Sequence, residues 1–385
     1  MKTKSVIVIG AGIGGIVAAI HLAQHGIKVT VLEKNVRPGG RCDRISRDGH
    51  HFDTGPTLLV MPLLYEAEFA ALGAQASMRE MLDLQRVDPT YHLVFDDGSQ
   101  LALTSDMKSL QEQLETFEHG SFEGFLRYMD EGYRHYHLGI EKLVRPDFRK
   151  ASDFFKLSNL PLIHQVKPLV KHYANMSHYF DDPRLKSAFS FQDVYMGLSP
   201  FEAPATFSMM PYTELAHGVW YPKGGMYSVV EALTKLARNA GVEFIFDTAV
   251  ERIEVNDKSV RGVMVNDSLL EADAVLANAD LPYVYQNLLP QDGQAEKLAR
   301  KQYSCSVISF FWGMDKPYES LAPHTLFLAS DYRENFESII RDLSLPANPS
   351  LYIHAPARLD PSMALQGQDT LIAIVPVGHM SENSE

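Results

Sequence analysis

Cysteine and positive charge are both scarce in this sequence. Its 385 residues include only two cysteines, Cys42 and Cys305, which are too few for a disulfide framework and fit a reducing cytoplasm. The formal net charge is −13, which argues against nucleic acid as a partner, because phosphate recognition needs a basic face. The patterns C-x-x-C, H-E-x-x-H and G-x-S-x-G do not occur, so the sequence predicts neither a metal site nor a nucleophile-elbow hydrolase.

Long hydrophobic runs are also lacking. The candidate near the N-terminus, residues 6–20, follows Lys2 and Lys4 as the core of a signal peptide would, but four glycines interrupt it. It is shorter than the ~20 apolar residues that a membrane span needs. With 45% hydrophobic and 22% charged residues, the composition is ordinary for a globular protein, and the length suits two domains or one large discontinuous domain.

The sequence does contain a glycine-rich turn between a predicted strand and a predicted helix. Residues 5–9 form a short β-branched run, and Gly10, Gly12 and Gly15 then spell G-x-G-x-x-G. In a dinucleotide site these glycines permit a tight turn, the approach of a pyrophosphate and close packing of helix on strand. A second strand ends at Glu33, whose carboxylate can accept hydrogen bonds from a ribose. We therefore predict a dinucleotide site rather than a glycine-rich turn without a ligand.

A second glycine pair follows the second predicted strand. In Arg37-Pro38-Gly39-Gly40-Arg41 the backbone is stripped of side chains, and Arg41 could reach a phosphate or a ribose. A simple turn is the alternative. Further along, Phe52-Asp53-Thr54-Gly55-Pro56-Thr57 places two small hydroxyls and a glycine after a short apolar step. We expect a loop at a strand end, where ligands bind in open α/β sheets.

These segments resemble the FAD-dependent amine-oxidase-like superfamily and, within it, the phytoene desaturases, the bacterial-type carotenoid desaturases. The resemblance covers almost the whole chain. Its first motifs are shared across the superfamily, and its later ones are more particular to the desaturases. The motifs lie at residues 6–15, 32–34, 38–41, 52–57, 218–226, 277–282, 355–358, 360–363 and 375–379.

The resemblance implies FAD as the cofactor and assigns residues to it. Beyond Gly10, Gly12 and Gly15, the implied contacts are Glu33 at the adenosine ribose with Lys34 in the same motif, Gly39, Gly40 and Arg41 along the FAD, Val250 by the adenine, and Thr57 near the flavin ring. Neither a catalytic residue nor a metal ligand is singled out.

The predicted fold is α/β: a Rossmann-like FAD-binding domain built from discontinuous segments, with an inserted substrate domain of mixed sheet and helical cap. We expect the FAD-binding domain at residues 1–103 and 216–288, the cap and membrane-facing region at 104–215, and substrate-domain strands at 289–385. In the cap, Ser121 is the predicted N-cap of a helix. Residues 272–277 are predicted to form another buried strand.

Basic and aromatic residues are concentrated in residues 142–172, against the acidic background of the chain. Such a stretch suits the surface of an anionic membrane, and a solvated helical face over ordinary core is the alternative. Because desaturases of this type take substrates from the bilayer, the resemblance favours a cytoplasmic protein that associates peripherally with a membrane. The stretch contains Lys142, Arg145, Arg149, Lys150, Lys156, Lys167 and Lys171, interleaved with Phe148, Phe154, Phe155, Leu157, Leu160, Leu162 and Ile163.

The function implied is FAD-dependent desaturation of a carotenoid polyene such as phytoene, of C40 or C30 length, by hydride transfer to flavin N5. Any catalytic base is left open: Asp147, Asp153, His164 and Asp193 lie in the cap, but surface or structural roles suit them better. Alternatives on the same scaffold are a carotenoid or retinoid isomerase, saturase or oxidase, an amine oxidase, and a non-catalytic isoprenoid-binding protein like the GDP-dissociation inhibitors. The sequence leaves the oligomeric state open.

The resemblance also implies a last FAD segment, rich in glycine and proline, after residues 375–379. The sequence printed here ends six residues after His379, in a polar tail. We therefore expect a C-terminally truncated chain that binds FAD weakly and desaturates little.

Overall fold

The computed structural model describes residues 4–146, 148–154, 156, 159–257, 259–289, 293–301 and 303–380. The described residues form two compact units. The first is drawn from Met1–Leu59, Leu63–Gln85 and Tyr221–Gln302, and the second from Val60–Pro62, Arg86–Trp220 and Tyr303–Glu385.

The strands, numbered in chain order, are β1 (Ser5–Ile9), β2 (Lys28–Leu32), β3 (Arg44–Arg47), β4 (His50–Asp53), β5 (Leu84–Val87), β6 (Tyr91–Phe95), β7 (Gln100–Leu103), β8 (Val219–Pro222), β9 (Glu243–Ile245), β10 (Arg252–Asn256), β11 (Ser259–Val265), β12 (Ser268–Glu271), β13 (Ala274–Ala277), β14 (Ser306–Met314), β15 (His324–Leu328), β16 (Leu351–His354) and β17 (Asp369–Val377).

The α-helices are α1 (Ile13–Gln24), α2 (Pro62–Ala71), α3 (Met78–Leu82), α4 (Met107–Phe117), α5 (Ser121–Gly139), α6 (Ala151–Phe154), α7 (Leu160–Val166), α8 (His172–Met176), α9 (Pro183–Ala188), α10 (Met209–Ala216), α11 (Tyr227–Asn239), α12 (Leu281–Tyr283), α13 (Gln294–Ala299) and α14 (Tyr332–Glu337). Short π-helical turns (Ile140–Val144, Val284–Leu288, Ser338–Asp342) and 3₁₀ turns (Phe191–Met196, Ala205–Ser208, Pro356–Arg358, Pro361–Met363) supplement them.

A parallel four-stranded sheet, in the order β13-β1-β2-β9, is the centre of the first unit. Its central strand β1 is almost fully buried because parallel sheets are covered on both faces, which is why the strand reads as a continuous β-branched run. α1 buries Gly15, Ile16, Ala19 and Ile20 at helical spacing. This β1–α1–β2 unit is the one that the glycine pattern predicts.

A small antiparallel layer, β10-β11-β12, also belongs to the first unit. The prediction of a buried strand over residues 272–277 is wrong in its burial. The strand starts at Ala274, and its residues are exposed or half-buried. The reason is its position at the edge of the parallel sheet, where only β1 pairs with it.

The second unit contains a mixed six-stranded sheet in the order β14-β17-β16-β15-β6-β7. β15 and β6 are parallel, and the other neighbours are antiparallel. This pairing moves one predicted boundary. Residues 86–103, assigned above to the FAD-binding segment, belong to the second unit because β6 and β7 pair within its sheet. Conversely, Leu289 and residues 293–301, assigned above to the substrate domain, lie with the first unit.

Helices α4–α10 belong to the second unit and lie in the region predicted to form the cap, and α14 belongs to the same unit. The predicted N-cap of α5 is wrong. Gly120, with a φ of +83°, is the capping residue, and Ser121 is a buried first helical residue. The chain enters the helix through a left-handed turn that suits glycine, and the Glu115 carboxylate accepts hydrogen bonds from the N–H groups of Gly120 (2.8 Å) and Phe122 (3.1 Å) instead.

Across the described part of the chain, no helix combines the length and apolar character that crossing a membrane requires.

Candidate functional site

A cavity of about 1090 Å³ opens within the first unit. This exceeds the ~300–1,000 Å³ typical of small-ligand sites and leaves room for a dinucleotide. It lies at the carboxyl ends of β1, β2 and β13, the edge where open α/β sheets bind ligands. The lining residues are Ile9, Gly10, Gly12, Ile13, Gly14, Leu32, Glu33, Lys34, Asn35, Gly39, Gly40, Arg41, Cys42, Pro56, Thr248, Ala249, Val250, Asn278, Ala279, Asp280, Tyr283 and Leu288.

The glycine turn between β1 and α1 has no room for side chains. Gly10 has a φ of +96°, and a Cβ there would lie 2.6 Å from the carbonyl oxygen of Asn278. A Cβ on Gly15 would lie 2.2 Å from the carbonyl oxygen of Gly10. Gly10 and Gly12 line the cavity, whereas Gly15 does not. The contacts of Gly15 are therefore those of close helix–strand packing, the role that the fingerprint gives it.

The second glycine pair lies directly against the first turn. The N–H of Gly39 donates to the carbonyl oxygen of Ala11 (2.9 Å), and Gly12 and Gly39 form an isolated parallel bridge. Gly40, with a φ of +60°, would place a Cβ 3.2 Å from the Cα of Gly12. Two backbone segments without side chains thus form one continuous wall of the cavity. The adjoining Arg41 is exposed and also lines the cavity.

Glu33 is held in the cavity wall by backbone groups. Its Oε2 accepts a hydrogen bond from the N–H of Ala11 (2.7 Å), and its Oε1 accepts one from the N–H of Asn35 (2.9 Å). The residue is buried, yet it lines the cavity beside the exposed Lys34. A carboxylate has about four lone-pair sites, so this one can still accept hydrogen bonds from ligand hydroxyls.

The other two predicted contacts differ in where they lie. Val250 lines the cavity and belongs to the buried core formed with Ile9, Leu32 and Val263, so one side of the cavity is apolar. Thr57 is buried, but it is not among the residues that line the cavity. Only Pro56 of that loop is.

Asp53, from the same loop, holds a helix rather than lining the cavity. Its Oδ2 accepts from the N–H of Met226 (2.8 Å) and its Oδ1 from that of Tyr227 (3.2 Å), which are the first orphan N–H groups of α11. Burial raises the pKa of Asp53 to about 6, against the lowering effect of these two N–H groups and of Arg44. The sequence pattern predicts a ligand loop here and indicates no role for Asp53.

The structure adds cavity residues that the sequence analysis did not assign. Asn278, Ala279 and Asp280 follow β13 at the carboxyl edge of the sheet, and the Asn278 side chain covers the glycine turn: a Cβ on Gly14 would lie 2.9 Å from its Nδ2. The available signal was a strand followed directly by Asn-Ala-Asp. Cys42 also lines the cavity, and burial, with Asp53 and Asp43 nearby, raises its pKa to about 12. The thiol is therefore protonated and unsuited to act as a nucleophile.

None of the candidate bases in the cap that the structure describes lines the cavity of the first unit. Asp153 accepts hydrogen bonds from the N–H groups of Arg149 and Lys150, and Asp193 is fully buried against the Nδ1 of His172 (2.9 Å). His164 is exposed on α7. Asp147 lies outside the described residues. Among those residues, no group of three or more His, Cys, Asp or Glu side chains could hold a metal ion.

Comparison with known proteins shows the family to which this chain belongs. The family model for flavin containing amine oxidoreductases matches residues 13–380. A phytoene desaturase of Fusarium fujikuroi is 41% identical over 386 residues, covering 99% of this chain and 68% of the relative. The chain belongs to the phytoene desaturases of the flavin-containing amine oxidoreductase family.

Other phytoene desaturase relatives agree with this membership, and solved structures share the fold. A zeta-carotene-forming phytoene desaturase of Myxococcus xanthus is 39% identical, covering 98% of this chain and 72% of the relative. A 4,4'-diapophytoene desaturase of Staphylococcus aureus strain Newman is 31% identical, covering 98% and 76%. An oxidoreductase from Methanosarcina mazei shares the fold with a TM-score of 0.62 at 17% identity, covering 96% of this chain and 78% of the other. A Rab GDI from Plasmodium falciparum does so with a TM-score of 0.61 at 12% identity, covering 100% and 84%.

The cavity of this desaturase-family chain fits a flavin nucleotide. Glycine backbone and the N-terminus of α1 suit a pyrophosphate, an oriented carboxylate suits ribose hydroxyls, and an apolar side suits an aromatic base. A Cβ at Gly10 would clash with the carbonyl oxygen of Asn278, and one at Gly40 would crowd Gly12, so the close approach of backbone is built into the site.

Proposed function

We propose that the chain is an FAD-dependent desaturase of a carotenoid polyene such as phytoene. One observation carries this proposal: in a chain of the phytoene desaturase family, both glycine segments and the oriented Glu33 carboxylate line a single cavity of dinucleotide size. The names of the relatives give phytoene or 4,4'-diapophytoene as the substrate, so the experiment must decide between a C40 and a C30 substrate.

In this proposal, the residues of the first unit hold and orient the cofactor. Backbone N–H groups at Gly12 and the start of α1 receive the pyrophosphate, and Arg41 adds positive charge beside it. Glu33, fixed by Ala11 and Asn35, accepts from the ribose hydroxyls, and Val250 packs by the adenine. Bound FAD supplies a two-electron acceptor, whose N5 takes a hydride from the substrate.

Desaturation removes one hydrogen from each of two carbons that a single bond joins. One leaves with its electron pair as the hydride, the other leaves as a proton, and the remaining bonding pair forms the new C=C bond. The described residues single out no base for the proton, so no residue of this chain is assigned to that step. Thr57 is kept as a proposed contact near the flavin ring, although it does not line the cavity of the first unit.

The test is turnover of the purified chain with FAD and phytoene in liposomes, with products separated chromatographically. We expect products with longer conjugated chromophores, lost without FAD and in Glu33→Ala. Glu251→Ala is the matched control, because Glu251 is an exposed acid of the same unit outside the cavity lining. Products altered only in double-bond geometry would instead indicate an isomerase, and tight polyene binding without any conversion would indicate a binding protein.

We further propose that the second unit docks peripherally on an anionic membrane through residues 142–171. The side chains of Val144, Leu160 and Leu169 are 62%, 56% and 78% exposed. Contact between this apolar surface and water is unfavourable, and a membrane surface would cover it. The basic residues named for this stretch differ in their partners, and Lys142 forms an exposed ion pair with the neighbouring Glu141 (2.5 Å). Lys167 is used internally, where it donates to Glu131 and Asn175, and Lys171 donates to the carbonyl oxygen of Glu202 (2.9 Å). Phe155 and Leu157 lie outside the described residues.

Vesicle sedimentation tests the docking. We expect the chain to co-sediment with phosphatidylserine-containing vesicles and to be released as salt rises. Replacing Arg149, Lys150 and Lys156 by Gln should weaken binding by about 1 kcal/mol per charge. Leu169→Gln should weaken it as well, whereas Leu365→Gln, at another exposed leucine of the second unit, should not. Equal sedimentation with neutral and anionic vesicles would count against the electrostatic part.

A further inference from the structure

Tyr227, at the start of α11, touches the second glycine segment at two points. Its hydroxyl donates a hydrogen bond to the carbonyl oxygen of Pro38 (3.0 Å), and its ring edge lies 3.1 Å from where a Gly39 Cβ would be. The side chain is buried, and the Arg44 guanidinium lies 4.6 Å from the centre of its ring. Tyr227 itself does not line the cavity.

Asp53 fixes the backbone from which Tyr227 projects. Its two carboxylate oxygens accept the N–H groups of Met226 and Tyr227, so the start of α11 is tied at both residues. The fit is close: Gly225 has a φ of +87°, and a Cβ there would lie 2.7 Å from the Oδ2 of Asp53. Asp53 is buried and, like Tyr227, is not among the cavity-lining residues.

These contacts continue to the nucleotide turn. Pro38 is followed by Gly39, whose N–H donates to the carbonyl oxygen of Ala11, and the N–H of Ala11 in turn donates to Glu33. Loop 52–57, the start of α11, the Gly39–Gly40 segment and the Gly10–Gly15 turn are thus joined in series by hydrogen bonds. The wall of the cavity depends on partners that are distant in sequence.

We propose that Asp53 and Tyr227 are positioning residues of the cofactor site, which hold the Gly39–Gly40 segment against the Gly10–Gly15 turn. The inference rests on the proposed function, because it takes FAD as the ligand of the cavity. A segment that carries no side chains cannot fix itself by packing, so an outside anchor decides how often it occupies the binding geometry. Loosening the anchor lowers the fraction of molecules that hold this geometry, and the affinity for FAD falls in proportion.

The test compares FAD binding by calorimetry with thermal unfolding of the flavin-free chain, in Tyr227→Phe, Asp53→Asn and the double variant. In Tyr227→Phe, the loss of one hydrogen bond should weaken FAD binding about 3- to 10-fold. In Asp53→Asn, the loss of the charged cap should weaken FAD binding about 10-fold. The double variant should lose less than the product of the two factors, because both residues act through the start of α11. The melting temperature of flavin-free Tyr227→Phe should stay close to that of the parent.

Thr234→Val is the matched control. Thr234 is buried further along α11, and its hydroxyl has no hydrogen-bond partner among the described residues. This variant should bind FAD within twofold of the parent. Parental FAD affinity in Tyr227→Phe, with weak binding in Glu33→Ala, would overturn the inference and leave the proposed function intact. A parent chain that binds no FAD would overturn both.

Discussion

Glu33 of the first unit faces a cavity, whereas Glu131 and Asp369 of the second unit are enclosed by their hydrogen-bond partners. In the first, Glu33 is oriented by two backbone N–H groups and still lines the cavity. In the second, Glu131 pairs with Lys167 and Asn175, and Asp369 accepts two hydrogen bonds from Arg358. Carboxylates are buried in both units, and their environments differ.

This difference separates two uses of a buried acid. An acid whose lone pairs remain available to a cavity can stabilise a ligand, and water can hydrate it when the ligand is absent. An acid enclosed with its partners contributes to folding, and removing it leaves a buried charge uncompensated. We therefore expect substitution of the cavity-facing acid of the first unit to act mainly on flavin affinity. Substitution of an enclosed acid of the second unit should act mainly on the free energy of unfolding.

The largest effect is expected for Asp369→Ala in the second unit. Asp369 is fully buried, and its Oδ2 accepts from the Nη2 of Arg358 (2.6 Å) and from the N–H of Tyr318 (3.0 Å). Removing one partner of such a pair should lower the free energy of unfolding by about 3–5 kcal/mol in urea titrations. Asp315→Ala, at an exposed acid of the same unit, should change it by less than about 0.5 kcal/mol. A tenfold change in FAD affinity with unchanged stability would break the comparison.

The opposite balance is expected for Glu33→Ala in the first unit. Losing charge-assisted acceptors for the ribose should cost roughly 1.5–3 kcal/mol of FAD affinity. The free energy of unfolding should fall by less, because water in the cavity can accept from the N–H groups of Ala11 and Asn35. Calorimetric FAD titration and urea unfolding of one preparation measure both quantities, and Glu33→Gln should lie between the parent and Glu33→Ala. Equal flavin retention by the variant and the parent after dialysis would contradict this assignment.

The sequence alone predicts much of the first unit because the decisive patterns are local. The β1–α1–β2 unit, the tight turn at Gly10 and the packing at Gly15 all follow from about thirty consecutive residues and from steric limits on glycine. The same holds for the second glycine pair, although only the structure shows Gly40 against Gly12. These features need no knowledge of distant partners.

What the sequence does not reveal depends on pairing between distant segments. Asp53 and Tyr227 are 174 residues apart, and β6 joins the second unit only because it pairs with β15. The capping residue of α5 was missed for a local reason, since the carboxylate of Glu115 supplies the hydrogen bonds that a Ser121 side chain was expected to supply. Asn278 was left without a role because no pattern indicates that its side chain covers the glycine turn.

A smaller effect, with a defined pH dependence, is expected for Glu214 in the second unit. Burial raises the pKa of this carboxyl from 4.5 to about 7, although Gln192 and Tyr195 donate hydrogen bonds to it. Between these values the folded chain holds a proton that the unfolded chain releases. The free energy of unfolding should therefore fall as pH rises, by about 2 kcal/mol from pH 5 to pH 8. Urea unfolding at pH 5 and pH 8 measures this fall in the free energy of unfolding. The fall should be smaller in Glu214→Gln than in the parent and should equal that of the parent in Glu319→Gln, which changes an exposed acid.

The smallest effect is expected for Lys34, the exposed cation beside Glu33 in the cavity wall. If the cavity holds a pyrophosphate, Lys34→Gln removes a charge that attracts it through water, which should weaken FAD by about 0.3–1 kcal/mol. The loss should shrink at high ionic strength, because salt screens exposed charges. Lys28→Gln, at an exposed lysine of the same unit outside the cavity lining, should leave affinity unchanged. The same small loss in both variants would mean that FAD affinity responds to the net charge of the chain and not to the position of Lys34 in the cavity wall.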